Sequence, residues 1–175
     1  MKDKAIFLDR DGTINEDKGY VYRIQDLKII PKVIEGLKLF KYAEYKLIIV
    51  TNQSGIGRGY YTEEDYFEFR EEMHKQLIEE GIKIDAEYFC PHKSDDECNC
   101  RKPKTGMLEQ AAKDFNLNLE KCCIIGDHLS DIQTGKNAGC KTIHILTGHI
   151  QRPISYADFI AKNMIEAANY VLNNI

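Results

Sequence analysis

Five short apolar runs constrain this chain most: Ala5–Leu8, Lys46–Val50, Ala86–Phe89, Cys122–Ile125 and Thr142–Ile145. All but Ala86–Phe89 lack the apolar–polar alternation of a sheet with one wet face, and β-branched residues recur in them. Strands of that kind need cover on both faces, which crossover helices give a parallel sheet. Helical patterns lie between the runs. Lys32–Ala43 places Val33, Leu37 and Phe40 on one face, with Pro31 at a start position. Thr62 reads as an N-cap with Asp65 completing a near capping box, and that helix runs to about Glu80, where Gly81 stops it. Thr105 opens another helix through Phe115, and Ser130 starts a short one ending near Ala138–Gly139. A last amphipathic helix covers about Tyr156–Leu172. This alternation predicts an α/β fold, a doubly wound, Rossmann-like parallel sheet in one domain spanning 1–175.

The composition narrows the function classes. Apolar residues make up 43% and charged residues 30% of 175 residues, enough to bury a proper core. No apolar stretch approaches the roughly 18 residues that cross a bilayer. The start, "MKDKAIFLDRDG", is charged and then enters a strand, unlike a signal peptide, which predicts a cytoplasmic protein. Net charge is −4 with no basic stripe, so neither nucleic acid nor membrane is an expected partner. Six cysteines in such a protein point away from disulfides. Cys122, Cys123 and Cys140 sit in apolar surroundings and read as small buried hydrophobes.

Ligands of open α/β sheets bind beyond the carboxyl ends of the strands. After the first strand comes "DRDGT", after the second "TNQSGIGRG", after the third "CPHKSDDECNCRKPKTGM", and after the fourth "GDHLSD". Each alone would pass for a polar turn. Together, four strand ends converge on acids, hydroxyls, glycines and Arg/Lys. Asp9 and Asp11, two apart on an extended segment, can face the same side, and Asp127 adds a third acid from another strand. Oxygen ligands of this number suit Mg²⁺. Thr51, Asn52 and Ser54 offer donors, the glycines at 55, 57 and 59 let backbone N–H groups approach an anion, Lys102 supplies a point charge and Arg101 a planar fork for phosphate. This is a phosphoryl-transfer kit.

The order DRDGT, TNQSG, RKPKTGM, GDHLSD resembles the haloacid dehalogenase superfamily of phosphatases over essentially the whole chain. The stretches "FLDRDGTIN", "DKGYV", "TNQSGIGRGYYTEEDY", "CPH…CNCRKPKTGML" and "IIGDHLSDIQTGKNAG" resemble, within it, the D-glycero-D-manno-heptose 1,7-bisphosphate 7-phosphatase family. The resemblance implies hydrolysis of the C7 phosphate through an aspartyl-phosphate, with Asp9 as nucleophile and Asp11 as general acid and base. It implies that Asp9, the Asp11 carbonyl and Asp127 hold Mg²⁺, with Asp131 orienting them from behind. Thr51 and Lys102 would bind the transferring phosphoryl group, and Arg101 the sugar phosphate. Asp17, Lys18, Gly19 and Tyr20 would form a substrate loop, and Arg10, Asn52, Gln53 and Ser54 would contact substrate. Where this chain has His128 the family usually carries Lys or Arg, and a protonated histidine would substitute. The family also implies a monomer.

Cys90, His92, Cys98 and Cys100 form a closed set of three thiolates and one imidazole, the donor chemistry of structural Zn²⁺. A clip of this kind would order a polar loop that has no core, at about residues 90–103, and place Arg101 and Lys102 directly after its last ligand. Tyr60, Tyr61, Tyr66, Phe67 and Phe69 read as packing residues, His144 as a core histidine, and His149 as a position on the rim. The chain between strands has room for one helix at a time, so the cap is minimal, with the zinc loop and Asp17–Tyr20 as walls. Two other readings stand beside the heptose enzyme. Histidinol-phosphate phosphatases share DRDGT, the zinc loop and RKPK, although "SGIGRGYYTEEDY" and "KTGML" favour the heptose family. A phospho-acceptor signalling domain would keep its phospho-aspartate, which a built-in base such as Asp11 shortens.

Overall fold

The computed structural model describes residues 3–149 and 152–175. Six strands, β1 (Ala5–Leu8), β2 (Lys46–Asn52), β3 (Ala86–Cys90), β4 (Cys123–Gly126), β5 (Lys141–Ile145) and β6 (Phe159–Ala161), form one sheet in the order β3-β2-β1-β4-β5-β6. Every neighbouring pair is parallel. Around it lie α1 (Val33–Tyr42), α2 (Ser54–Gly57), α3 (Glu63–Glu79), α4 (Gly106–Asp114), α5 (Leu129–Ala138) and α6 (Met164–Asn174).

The unbroken apolar runs follow from the two-sided cover. Ile6, Leu8, Leu47 and Ile49 face one layer, with Leu37 and Phe40 of α1, Met73 and Leu77 of α3 and Ala167 and Val171 of α6. Ala5, Phe7, Ile48 and Val50 face the other, with Met107, Leu108 and Ala111 of α4. All four residues of β1 are fully buried. Each such Ile, Leu or Phe side chain contributes about 1.5–3 kcal/mol on burial, so β1 is a rigid base for whatever follows it.

Local signals place the helices. The Thr62 hydroxyl accepts from the Asp65 N–H (3.1 Å) and the Asp65 carboxylate from the Thr62 N–H (2.8 Å), a complete capping box. The expected helix at Ser130 begins at Leu129 and is capped by His128, whose Nδ1 accepts from the Ser130 N–H (3.4 Å). Helix α1 starts at Val33, after Lys32 in the left-handed region (φ 68°). The final segment departs most from expectation. Within the helix expected over Tyr156–Leu172, Phe159–Ala161 instead pairs with Ile143–Ile145 as β6, and α6 starts only after Asn163, whose Oδ1 accepts from the Glu166 N–H (3.1 Å). Asp158 makes the difference: its carboxylate accepts from the Thr142 N–H (2.8 Å) and hydroxyl (2.7 Å), which draws the chain onto the sheet edge.

Candidate active site

In this strand order the connections reverse direction between β1 and β4, and a crevice opens beyond their carboxyl ends. Asp9 follows β1 and Asp127 follows β4. The Asp9 N–H donates to the Ile125 carbonyl (3.0 Å), which locks the two strand ends together. His144, fully buried in β5, accepts the Ile154 N–H at Nδ1 (3.2 Å), so its Nε2–H donates to the Asp127 carbonyl (3.1 Å). The core histidine expected from the sequence thus also seats Asp127.

Carboxylate oxygens of Asp9, Asp127 and Asp131 lie within 4.8 Å of one another, all three residues being buried. Lys102 is the cation among them, its Nζ donating to Asp9 Oδ1 (2.8 Å), Asp131 Oδ1 (2.5 Å) and the Val50 carbonyl (2.8 Å). Burial would lower the lysine, but Asp131 and Asp9 outweigh it and raise Lys102 above its ordinary value. The acids still outnumber it. Burial, reinforced for Asp9 by Asp131 and for Asp127 by Asp9 and Asp131, pushes Asp9 up to about 7 and Asp127 up to about 8. Three buried carboxylates against one ammonium are short of positive charge, and a hard divalent cation matches that donor set. Asp131 is close enough to take part, yet its two oxygens are engaged by Lys102 and by the His128 N–H (3.0 Å). Asp9 and Asp127 are therefore the side chains suited to hold the ion, and Asp131 orients Lys102. Gly12, at φ 79°, passes so close to Asp127 that a Cβ there would stand 2.5 Å from its Oδ2.

Asp11 lies beyond β1, in an isolated bridge with Asn15 that brackets a tight turn over 12–14. It lines the same cleft, and its carboxylate accepts four hydrogen bonds: from Arg10 Nε (3.0 Å) and one terminal nitrogen (2.9 Å), Asn15 Nδ2 (2.9 Å) and Gln53 Nε2 (3.0 Å). Arg10 is a correction to the sequence reading. Its side chain is wholly buried and does not line the cleft, so it grips Asp11 instead of meeting a substrate. Lys18 is exposed, lines a neighbouring hollow and pairs loosely with Asp26 (3.8 Å).

The other expected residues surround one cleft of about 350 Å³: Asp9, Asp11, Asp17, Gly19, Tyr20, Thr51, Asn52, Gln53, Ser54, Arg101, Lys102, Asp127 and His128. Several of them act on their neighbours. Asn52 exchanges two hydrogen bonds with the Lys102 backbone (3.0 and 3.1 Å), fixing the lysine to the end of β2. Asp17 closes a small turn on the Gly19 N–H (2.7 Å) and pairs with His149 (3.2 Å). Tyr61, Ser130 and His149 also line the cleft. For Tyr61 the sequence carried only a packing signal.

The thiol and imidazole donors of Cys90, His92, Cys98 and Cys100 also converge. Separations are 3.8 Å for Cys90–Cys98, 3.1 Å for Cys90–Cys100, 3.5 Å for Cys90–His92 Nδ1 and 3.3 Å for His92 Nδ1–Cys100. Tetrahedral zinc with bonds of about 2.3 Å to sulfur spaces its donors roughly 3.8 Å apart, so the set needs little adjustment to close on an ion. Gln53 N–H and Gly57 N–H donate to the carbonyls of Cys90 (2.7 Å) and Pro91 (2.9 Å), and Arg101 donates to the His92 carbonyl (3.0 Å), which ties this loop to the cleft.

A Rossmann-like sheet with a carboxylate cluster, a buried lysine and a hydroxyl at successive strand ends defines a phosphatase of the haloacid dehalogenase class. A family model described as HAD-hydrolase-like matches residues 99–175. A D-glycero-α-D-manno-heptose-1,7-bisphosphate 7-phosphatase of Campylobacter jejuni is 44% identical over 97% of this chain and 96% of its own. A D-glycero-β-D-manno-heptose-1,7-bisphosphate 7-phosphatase of Pasteurella multocida is 41% identical over 98% and 92%. Among solved structures, the D,D-heptose 1,7-bisphosphate phosphatase of B. bronchiseptica, complexed with magnesium and phosphate, superposes with a TM-score of 0.90 at 29% identity, covering 98% of this chain and 99% of that one. The chain belongs to the D-glycero-D-manno-heptose 1,7-bisphosphate 7-phosphatase family.

Proposed function

We propose that this protein is a single-domain phosphatase, residues 1–175, that removes the C7 phosphate of D-glycero-D-manno-heptose 1,7-bisphosphate and leaves heptose 1-phosphate. The observation that carries the reading is the Asp9–Asp127–Asp131–Lys102 cluster at the crevice between β1 and β4, with Asp11 on the same cleft. Asp9 attacks phosphorus and forms an acyl phosphate as the bond between phosphorus and the C7 oxygen breaks, its electron pair leaving on that oxygen. Asp11 gives that oxygen a proton, then takes one from the water that attacks phosphorus and frees Asp9. Lys102 and Thr51 hold the transferring group. Asp9, Asp127 and the Asp11 carbonyl would hold Mg²⁺, which would supply charge neutralisation to the phosphoryl oxygens.

Arg101, His128, Asp17, Gly19 and Tyr20 line the remaining wall, where charge and hydrogen bonds suit the sugar and its retained phosphate. Zn²⁺ in the Cys90–His92–Cys98–Cys100 loop, at about residues 90–103, orders the segment that presents Arg101 and Lys102, with every ligand position filled by protein. None of the six cysteines is in a disulfide, and no helix among the described residues is long and apolar enough to cross a membrane. We place the enzyme in the cytoplasm as a monomer acting on a small molecule.

The test is kcat/KM measured side by side on the α and β anomers of the heptose bisphosphate and on histidinol phosphate, with Asp9→Asn as the inactive control. One heptose anomer is expected to be the best substrate, and Asp9→Asn to fall below about a thousandth of wild-type turnover. A higher kcat/KM on histidinol phosphate would reassign the enzyme.

A further inference from the structure

Gln53 sits between the proton-transfer group and the substrate wall. Its Nε2 donates to Asp11 Oδ2 (3.0 Å) and to Thr51 Oγ1 (2.8 Å), while its Oε1 accepts from the Tyr61 hydroxyl (2.5 Å) and from Arg10 (3.3 Å). All four hydrogen-bonding positions of the amide are taken, and Gln53 is 2% exposed. Arg10 can only donate, so Oε1 must face Arg10 and Tyr61, and Nε2 must face Asp11. Of the two bonds that set this orientation, the one from Tyr61 is much the shorter.

Tyr61 has a second attachment. Its ring stacks on that of Tyr22, with centroids 4.8 Å apart and planes 13° from parallel. Tyr22 lies two residues beyond the Asp17–Tyr20 wall, and Arg10 donates to the carbonyl of Val21 between them (2.7 Å). The next pair along, Tyr20 and Tyr60, meets edge to face at 4.8 Å. The wall is thus joined to the groups around Asp11 by a ring stack and by a buried backbone contact.

We propose that Tyr61 is a positioning residue for the reaction: through Gln53 it aims the Asp11 carboxyl at the leaving oxygen, and through its stack on Tyr22 it makes that aim depend on the seating of the substrate wall. The proposal rests on Asp11 being the proton donor in the function proposed above. A misaimed donor matters in proportion to how much the leaving group needs a proton. A sugar alkoxide needs one, whereas p-nitrophenolate departs without.

Tyr61→Phe removes the hydroxyl and keeps the ring stack; Gln53→Ala removes the next link. Single-turnover release of the leaving group is measured for heptose bisphosphate and for p-nitrophenyl phosphate, with steady-state KM and thermal unfolding alongside. Tyr61→Phe is expected to slow release from the sugar by about tenfold, with KM within about twofold and release of p-nitrophenol nearly unchanged. In the Gln53→Ala background the same substitution should have no further effect, because the path is already cut. Equal losses on both substrates, a raised KM at unchanged rate, or additive effects in the double variant would each overturn the proposal. Should the heptose bisphosphate prove not to be the substrate, the same contrast run on any alkyl phosphate the enzyme does hydrolyse still decides the role of Tyr61, so the two readings fail separately.

Discussion

The guanidinium of Arg10 has no solvent contact; neighbours bond its Nε and one terminal nitrogen, while the other terminal nitrogen, Nη1, has no hydrogen-bond partner among the described residues. Two of its nitrogens bond Asp11, one of them also reaches the Val21 carbonyl, and its plane lies over the Phe69 ring with the central carbon 4.6 Å from the centroid. Lysine cannot reproduce a bidentate grip, a carbonyl contact and a ring stack together. Arg10→Lys is therefore expected to cost about 2–4 kcal/mol of stability, read from urea unfolding, because Asp11 and Val21 lose buried donors. A loss under about 1 kcal/mol would mean that the grip on Asp11 is dispensable. An arginine beside a nucleophile in the sequence "DRDGT" reads as a substrate contact, and only the third dimension shows the side chain turning inward. Residue type announced the acids, Lys102 and the thiol cluster, since few other environments suit them so close together. The tasks of Arg10, Gln53 and Tyr61 depend on hydrogen-bond partners up to 43 positions away, which no local pattern encodes.

At the scale of elements, β1, β2, β4 and β5 were legible because covered strands leave unbroken apolar runs, and α3 because its capping box is written in "TEED". Strand β6 was not, because Phe159–Ala161 is three residues long and stands next to a true amphipathic helix, so one periodicity spans both. Helix α2 is a single turn with two glycines and has no period to detect. The loop after β3 differs in bringing four metal-type donors together. Cys98 meets the Cys90 sulfur at 3.8 Å, the longest of the four donor separations given above. Cys98→Ala should lower bound zinc, measured by a chromophoric chelator, together with the melting temperature, since the ion's binding energy is folding energy for this segment. Unchanged zinc content would remove Cys98 from the ligand set.

For the molecule as a whole, Asp9 at about 7 and Asp127 at about 8, against an ordinary value of 3.8, couple stability to pH. The metal-free fold keeps protons there that the unfolded chain gives up above about pH 4. These two groups therefore favour the fold at low pH, and that contribution is lost as pH rises through 7 and 8. A dication that replaces the protons reverses the trend. The rise in melting temperature caused by millimolar Mg²⁺ should accordingly grow between about pH 5 and pH 8. A rise that did not vary with pH would place the ion elsewhere.

The strand order has a consequence for how the molecule comes into being. β1 emerges first during synthesis, yet it occupies the middle of the sheet, and one of its two neighbours, β4, begins only at Cys123. Until then a fully apolar strand has an open flank, a state prone to mispairing. Asp9 waits for Asp127 and Asp131 over the same interval, so the three carboxylates meet only after more than a hundred further residues have been made. Assembly of the carboxylate cluster is thus late relative to β1, and it marks the chains whose central strand has found both partners.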